Sequence, residues 1–348
     1  MAEKYTVVVN KLELELKRMR AEGKTKLPSE KELCSTFSCS RQTVRTALEI
    51  LEAKGLIVKR RGSGSYLADD TARNMTVFYI TDDCDRYQNP ALISGLKTEL
   101  AASGYELKTF SSSGRSSEEA AAIKRAIGER AAAVIIEPSR DLIPGPVTRL
   151  IEEAFDSRIP VIWCNAAYPP EGTFCVAPDY RRGGKKITDQ FKENGRRKTA
   201  CVFRMDSSQG REGYEGYIDS VFGTDLPFED YGALLLTYDQ EKEIISGRDE
   251  VLSAFLDKVS SYYDALVCQN GMLAHQAICL LRKKGISVPE DITIACFDSG
   301  CYYRDYGDGM TALGYDNGVL CKALAKTAVS LAEGRSAKDV TIPLKWME

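Results

Sequence analysis

Apolar residues recur at three- and four-residue steps at the start of the chain, at Tyr5, Val8, Val9, Leu12, Leu16 and Met19. This spacing predicts an amphipathic helix, closed by Gly23, with one face to pack under the next helices. A second helix is predicted to start at Ser29. Its side chain can cap the helix while Glu32 reaches back in an S-x-x-E box, and Pro28 stops any earlier helix from running through. A third start falls at Ser40, after the short Ser38-Cys39 turn, and runs to Lys54 with Gly55 at its end. Val44, Ala47, Leu48 and Leu51 share one face of this helix, whereas Arg41, Gln42 and Arg45 point elsewhere near its beginning. Leu56-Ile57-Val58 and the stretch from Lys59 to Tyr66, with Gly62 and Gly64, then read as two short strands around a glycine turn.

From Met75 the period changes to short apolar runs alternating with amphipathic helices. Strands are predicted at 76–80, 105–110, 132–136, 160–164, 199–204, 233–237, 265–268 and 292–297, and helices include 90–103, 117–129, 182–194, 248–259 and 273–284. Gly104, Gly195 and Gly285 fall where helices should end. Strand and helix in alternation mean parallel, doubly wound sheets, and so many units are better divided between two lobes than strung into one sheet. The expected fold class is therefore α/β: an N-terminal winged helix-turn-helix (1–68), a polar linker (69–75) that includes Asp69 to Asn74, and a two-lobed domain of parallel doubly wound sheets (76–348).

Charge sharpens this division. The net charge of -3 conceals 14 Lys and Arg against 10 Asp and Glu in residues 1–70, and 33 against 40 in the remainder. A basic head on an acidic body fits a nucleic-acid reader joined to a part that does not touch nucleic acid. Arginines at 41 and 45 suit bidentate contact with guanine, Gln42 suits adenine, and the cations and glycines of the wing allow close approach to a phosphate backbone.

Other chemistries are thin. The eleven cysteines have no C-x-x-C spacing and are expected as buried free thiols, with no metal. His275 is the one histidine, and G-x-S-x-G, H-E-x-x-H and G-x-x-x-x-G-K are all missing, so no enzyme and no cofactor is expected. No apolar run reaches about 18 residues and no secretion pattern opens the chain, which points to the cytoplasm.

The first 68 residues resemble the gluconate-repressor (GntR) family of winged-helix regulators. The resemblance is carried by Leu27-Pro28-Ser29-Glu30, Leu33, Ser40-Arg41, Thr43-Val44-Arg45, Ala47-Leu48, Leu51, Gly55-Leu56-Ile57 and Gly62-Ser63-Gly64-Ser65-Tyr66, with Lys31 standing where the family usually has arginine. It implies contact with operator DNA by Ser29, Lys31, Ser40, Arg41, Gln42, Thr43, Arg45, Arg60, Arg61, Gly62 and Gly64.

Residues 75–348 resemble the ligand-sensing core of the lactose- and galactose-repressor family, itself similar to periplasmic sugar-binding proteins. The matching stretches include Val176-Ala177-Pro178-Asp179, Asp264 to Asn270, Gly285 to Ile292 and Phe297-Asp298-Ser299. The resemblance implies an effector, expected to be a carbohydrate, in a cleft between the lobes. Asn270, Asp298 and Asp179 match effector positions; Glu137, Tyr87 and Gln88 are further cleft candidates. An arginine that the family places three residues before a Gly-aromatic pair falls here on Gly213, leaving Arg211 as the nearby candidate. Asn270, Asp298 and Asp179 can also be read simply as helix caps, and Trp163, inside an apolar strand, as core. The chain is thus expected to be a ligand-responsive, homodimeric transcriptional repressor of carbohydrate use. The alternatives are an activator, a regulator that senses a nucleoside or sugar acid, a transport sugar-binding protein, and a cytosolic sugar-acting enzyme.

Overall fold

The amphipathic start of the chain forms helix α1, Lys4–Ala21, followed by α2, Glu30–Phe37, α3, Arg41–Ala53, and the wing strands β1, Ile57–Arg60, and β2, Gly64–Leu67. The computed structural model describes residues 4–22, 24–53, 56–60, 63–67, 74–85, 89–141, 145–166, 169–222, 232–300 and 309–347. They form two compact units, Met1–Arg73 and Asn74–Glu348.

In the first unit Val8, Val9, Leu12, Leu16 and Met19 of α1 meet Leu33 of α2, Val44, Ala47, Leu48 and Leu51 of α3, and Leu56, Ile57 and Leu67 of the wing in one core. The capping box at Ser29 forms: Ser29 Oγ accepts from Glu32 N at 3.3 Å, and Ser29 N donates to Glu32 Oε2 at 2.7 Å. The Ser29 hydroxyl, which donates to Glu32 Oε2 at 2.8 Å, and then the Ser29 N–H hold the Glu32 carboxyl below its usual range. Ser40 caps α3 in turn, its Oγ accepting from Thr43 N at 3.2 Å. The wing pairs antiparallel with Arg60 opposite Gly64, and β2 is flanked on its other side by Lys26 opposite Tyr66. Gly64 has φ +110°, a conformation that side chains disfavour. Gly23, Lys54, Gly55, Arg61, Gly62 and most of the expected linker lie outside the described residues.

The second unit opens at Asn74, whose side chain donates to Glu129 O at 2.6 Å and accepts from Thr76 N at 3.1 Å. Its first lobe holds β3, Thr76–Thr81; α4, Asn89–Ala101; β4, Glu106–Ser111; α5, Ser116–Gly128; β5, Ala133–Ile136; α6, Gly145–Asp156; β6, Val161–Cys164; and β7, Phe174–Pro178. The chain then crosses to the second lobe: α7, Tyr180–Glu193; β8, Thr199–Arg204; α8, Ser208–Val221; β9, Ala233–Leu236; α9, Tyr238–Ile245; α10, Glu250–Tyr262; β10, Ala265–Cys268; α11, Gly271–Lys283; β11, Thr293–Phe297; and β12, Met310–Gly314. It returns to the first lobe with α12, Asn317–Ala332, and β13, Val340–Ile342, and ends in the second with β14, Lys345–Trp346.

Both sheets have six strands, in the orders β13-β7-β6-β5-β3-β4 and β14-β12-β11-β10-β8-β9. Every pairing is parallel except β12 with β14. The eight strands expected from the sequence are all present, and β7, β12, β13 and β14 are additional. Gly104, Gly195 and Gly285 follow helix ends with φ of +79°, +83° and +78°. Trp163 is fully buried in the first lobe's core. Three crossings, β7 to α7, β12 to α12 and β13 to β14, join the lobes at one side, so the carboxyl ends of both sheets face a shared cleft.

Candidate DNA-reading and effector sites

On the first unit Arg41 and Gln42 are exposed in the first turn of α3. Arg45, one turn on, reaches back to Glu30 of α2 at 3.4 Å. In the wing Lys59 pairs with Glu52 at 3.0 Å, and the Arg60 guanidinium lies over the Tyr66 ring at 4.7 Å, with Lys26 over the same ring at 5.7 Å. Between the wing and the start of α2 runs a groove of about 770 Å³ edged by Lys26, Ser29, Glu30, Lys59, Arg60 and Gly64. Ser29 and Arg60, far apart in sequence, therefore share one surface. Lys31 is exposed on α2. Arg61 and Gly62 fall outside the described residues. Sequence reasoning placed Tyr66 in the wing but missed Lys26 beside it, although a lysine just before the Leu-Pro-Ser stretch was legible.

In the second unit the candidate effector residues stand at strand carboxyl ends. Glu137 follows β5 and accepts from Tyr79 Oη at 2.6 Å and Thr81 Oγ1 at 2.9 Å through Oε2, and from Asn165 Nδ2 at 2.6 Å through Oε1. Three donors hold this carboxylate in place. Burial raises the phenols of Tyr180 and Tyr315, which also feel the charge of Glu137; their side chains are hydrogen-bonded to each other.

Asn270 follows β10 and caps α11, Oδ1 accepting from Leu273 N at 2.9 Å, while Nδ2 donates to Glu241 Oε1 at 2.6 Å. Glu241 is 3% exposed and pairs with Arg204 at 2.9 Å. Asp298 follows β11, is 2% exposed, and accepts from Gly300 N at 2.6 Å. Asp179 caps α7, accepting from Arg182 N at 3.0 Å, and its own N–H donates to Ile342 O at 3.0 Å, which ties the first crossing to the third. Asn270 and Asp179 are thus caps, and each keeps lone pairs or protons beyond those its cap uses. Tyr87 and Gln88 lie outside the described residues.

The position of Gly213 explains the displaced arginine. A Cβ there would meet Phe203 at 2.7 Å and Phe297 at 2.8 Å, so no side chain fits. Arg211, in the first turn of α8, instead pairs across the cleft with Asp141 at 2.8 Å. It belongs to a set of contacts between lobes that sequence reasoning missed. Arg140 reaches Asp239 at 3.1 Å and lies over the Tyr238 ring at 5.1 Å. Tyr238 Oη donates to Asp82 at 2.8 Å, and Arg204 donates to Ser139 O at 3.2 Å. The segment Ser139 to Asp141 is therefore gripped by the second lobe. Apart from Arg211, in the first turn of α8, these residues lie at or shortly after strand carboxyl ends, the one signal that could have found them.

Glu212, on α8, lies half-buried beside a cavity of about 300 Å³ that Asp179 and Asp339 also line. Burial, then the charges of Asp179, Glu215 and Asp141, push its carboxyl up to about 7, against an opposing pull from Arg211. Burial raises Glu119 to about 7 as well. Both carboxyls stay protonated in the fold above the range where the unfolded chain releases its protons. The stability they contribute is complete below about pH 4.5 and is lost as pH climbs towards 7. Glu212→Gln should therefore show a smaller fall in melting temperature than the parent between about pH 5 and pH 8. An unchanged slope in thermal melts across that range would remove Glu212 from this role.

A winged helix with an exposed reading helix, joined in one chain to a two-lobed sensor whose polar groups gather at strand ends, defines a DNA-binding transcriptional regulator. The chain belongs to the family described as periplasmic binding proteins and sugar binding domain of LacI family, matched over residues 84–309, and carries at residues 4–67 the module of the bacterial regulatory proteins of the gntR family. It is 28% identical over 320 residues to the arabinose metabolism transcriptional repressor of Geobacillus stearothermophilus, covering 90% of this chain and 87% of that protein. To the arabinose metabolism transcriptional repressor of Halalkalibacterium halodurans it is 26% identical over 281 residues, with 78% and 74% covered. In fold it is similar to a periplasmic binding protein/LacI transcriptional regulator from Alkaliphilus metalliredigens complexed with D-xylulofuranose, at 16% identity and a TM-score of 0.68, covering 79% of this chain and 97% of that one. Among the described residues no helix is long and apolar enough to cross a membrane.

Proposed function

We propose that this regulator is a cytoplasmic, homodimeric repressor of carbohydrate-utilisation genes, released from its operator by a small sugar bound in the cleft. The observation that carries the reading is the set of fixed polar groups at strand carboxyl ends, Glu137 in one lobe and Asn270 and Asp298 in the other, on a chain whose other unit is a winged helix. Carboxylates held by neighbouring donors accept hydroxyl protons in charge-assisted bonds, and an amide both donates and accepts, which suits vicinal hydroxyls. Arg41, Gln42, Thr43 and Ser40 at the start of α3 read or position the duplex. Ser29, Lys31, Arg45, Arg60, Arg61, Gly62 and Gly64 supply the flanking contacts. Two protomers meet through the first lobe, with α4 and α5 in the interface, and effector binding resets the spacing of their reading helices. A coupling of about 1 to 3 kcal/mol alters DNA affinity roughly 5- to 150-fold.

One pair of variants tests both halves. Arg41→Ala should lose about 1 to 3 kcal/mol of affinity for a duplex selected from a random pool by the parent protein, yet keep the parent's thermal shift with sugars. Asp298→Asn should weaken sugar binding by about tenfold, within the 1 to 3 kcal/mol of a lost charged contact, and keep DNA affinity. A screen in which no neutral sugar raises the parent's melting temperature would sink the effector assignment. Unchanged duplex binding by Arg41→Ala would sink the assignment of the reading helix.

A further inference from the structure

The turn that delivers the reading helix carries two thiols. Cys34 lies in the last turn of α2 and Cys39 immediately precedes Ser40, the cap of α3; both are half-buried against the core of their unit. Ser38 between them is left-handed, at φ 48° and ψ 47°, and its N–H donates to Cys34 O. The Cys39 N–H also donates to Cys34 O, at 3.2 Å. A left-handed residue followed by a bond spanning six residues folds the chain back on itself and brings the side chains at the two ends of that span near each other. Here those side chains are Cys34 and Cys39, close enough for the Cys39 thiol to feel the Cys34 sulfur.

Six cysteines of the second unit have a different setting: Cys164, Cys175, Cys201, Cys268, Cys296 and Cys321 are buried, whereas Cys84 and Cys279, also half-buried, lie far apart in sequence. Burial pushes the thiols of the buried six up.

We propose that Cys34 and Cys39 are a reversible dithiol–disulfide site, oxidised by low-molecular-weight disulfides, and that closing the bond weakens DNA reading by the same module. The second half rests on the assignment of α3 as the reading helix. In the first step the Cys34 thiolate attacks one sulfur of the external disulfide, whose S–S bond breaks and releases one thiolate. Cys39 then loses its proton and attacks the Cys34 sulfur, which expels the second thiolate. Two protein thiols are oxidised by two electrons, one external disulfide is reduced to two thiols, and the two protons pass to the products. Burial and the neighbouring Cys34 sulfur push the Cys39 thiol up, so the first attack falls to Cys34.

The link to DNA reading is geometric. A disulfide holds its sulfurs about 2.05 Å apart and its Cβ atoms at about 3.8 Å, closer than two thiols in van der Waals contact. Closing it draws Cys39 towards α2. Ser40, the next residue, caps α3 through the bond from Thr43 N, and its Oγ lies 2.8 Å from Thr43 Oγ1. The displacement therefore enters the reading helix at its cap, one residue before Arg41.

The full-length protein should be equilibrated with mixtures of reduced and oxidised glutathione and digested with trypsin. Cleavage after Lys31 and Arg41 gives one peptide that holds both cysteines. We expect this peptide to become lighter by two hydrogens and to recover its mass in dithiothreitol. On a duplex selected from a random pool by the reduced protein, oxidation should weaken binding at least about fivefold, the smallest loss expected for one bidentate base contact. Dithiothreitol should restore it. Cys34→Ser and Cys39→Ser, which keep the size of the side chain, should bind that duplex equally with and without oxidant.

A peptide that remains a dithiol, or gains only separate glutathione adducts, overturns the site. Equal loss of binding on oxidation in the serine variants overturns the link to DNA reading. If the reduced protein selects no duplex at all, the assignment of the reading helix and the second half of the proposal fail together, while the peptide mass still decides the bond.

Discussion

Arg204→Met should destabilise the second unit by about 3 to 5 kcal/mol, the range for removing one partner of a buried ion pair. The side chain of Arg204 is 12% exposed and that of Glu241 3%, with 2.9 Å between the paired atoms. Methionine fills much of the space but leaves the Glu241 carboxylate with Asn270 as its one remaining hydrogen-bond partner in these contacts. At roughly 2 to 4 °C per kcal/mol for a unit of this size, the melting temperature should fall by about 10 °C. The double variant Arg204→Met/Glu241→Leu removes both charges and should recover part of that loss, because replacing a whole buried pair by apolar groups costs far less than stranding one member. A double variant as unstable as Arg204→Met alone would show that the damage arises elsewhere, for instance from the lost bond to Ser139 O on the opposite lobe.

Gly216→Ala should cost the same unit about 3 kcal/mol, at the upper end of the usual range for overpacking, because the obstacle is backbone. A Cβ on Gly216 would lie 1.9 Å from Arg181 O, and one on Gly184 would lie 2.1 Å from Gly213 O. Helices α7 and α8 therefore meet main chain to main chain, and even one methyl group must push them apart. Gly128→Ala is the control: nothing lies within 4 Å of a Cβ there, so its melting temperature should match or slightly exceed the parent's. Equal melting of Gly216→Ala and parent would mean that the two helices can separate without loss.

This contact also accounts for part of what the sequence concealed. Helix α8 contains Gly210, Gly213 and Gly216, which lower helical propensity and make the stretch read as a loop, although its packing requires them. The eight predicted strands were legible because strands covered on both faces are nearly continuous apolar runs, as in Ala133–Ile136 and Ala265–Cys268. Strand β7 ends in Pro178 and keeps only part of its length fully buried, so its pattern was weak. Glu137, Asn270, Asp298 and Asp179 could be picked out because each follows an apolar run or begins a helix. Their partners could not: Glu241 lies 29 residues before Asn270, and Asp239 lies 99 residues after Arg140. No local period records a meeting between residues so far apart in the chain, whether within one lobe or between two. In the first unit the caps and the apolar face of α3 are local and were readable, whereas the ion pair of Arg45 with Glu30 spans 15 residues and was not.

The three crossings between lobes also set a schedule for synthesis. Leu92, Leu96 and Leu100 of α4 bury themselves in a cluster that includes Leu320, Leu324 and Ala328 of α12. The edge strand β13 pairs with β7 through residues more than 160 positions later in the chain. A nascent chain that has emerged only as far as residue 316 has made almost all of the second lobe, yet its first lobe, although translated earlier, still lacks a covering helix and a strand. The lobe begun first is thus still unfinished when almost all of the other has been made. Until residues 317–342 arrive it presents an apolar face and an open sheet edge, so a ribosome stalled late on this message would hold out an aggregation-prone half-sensor.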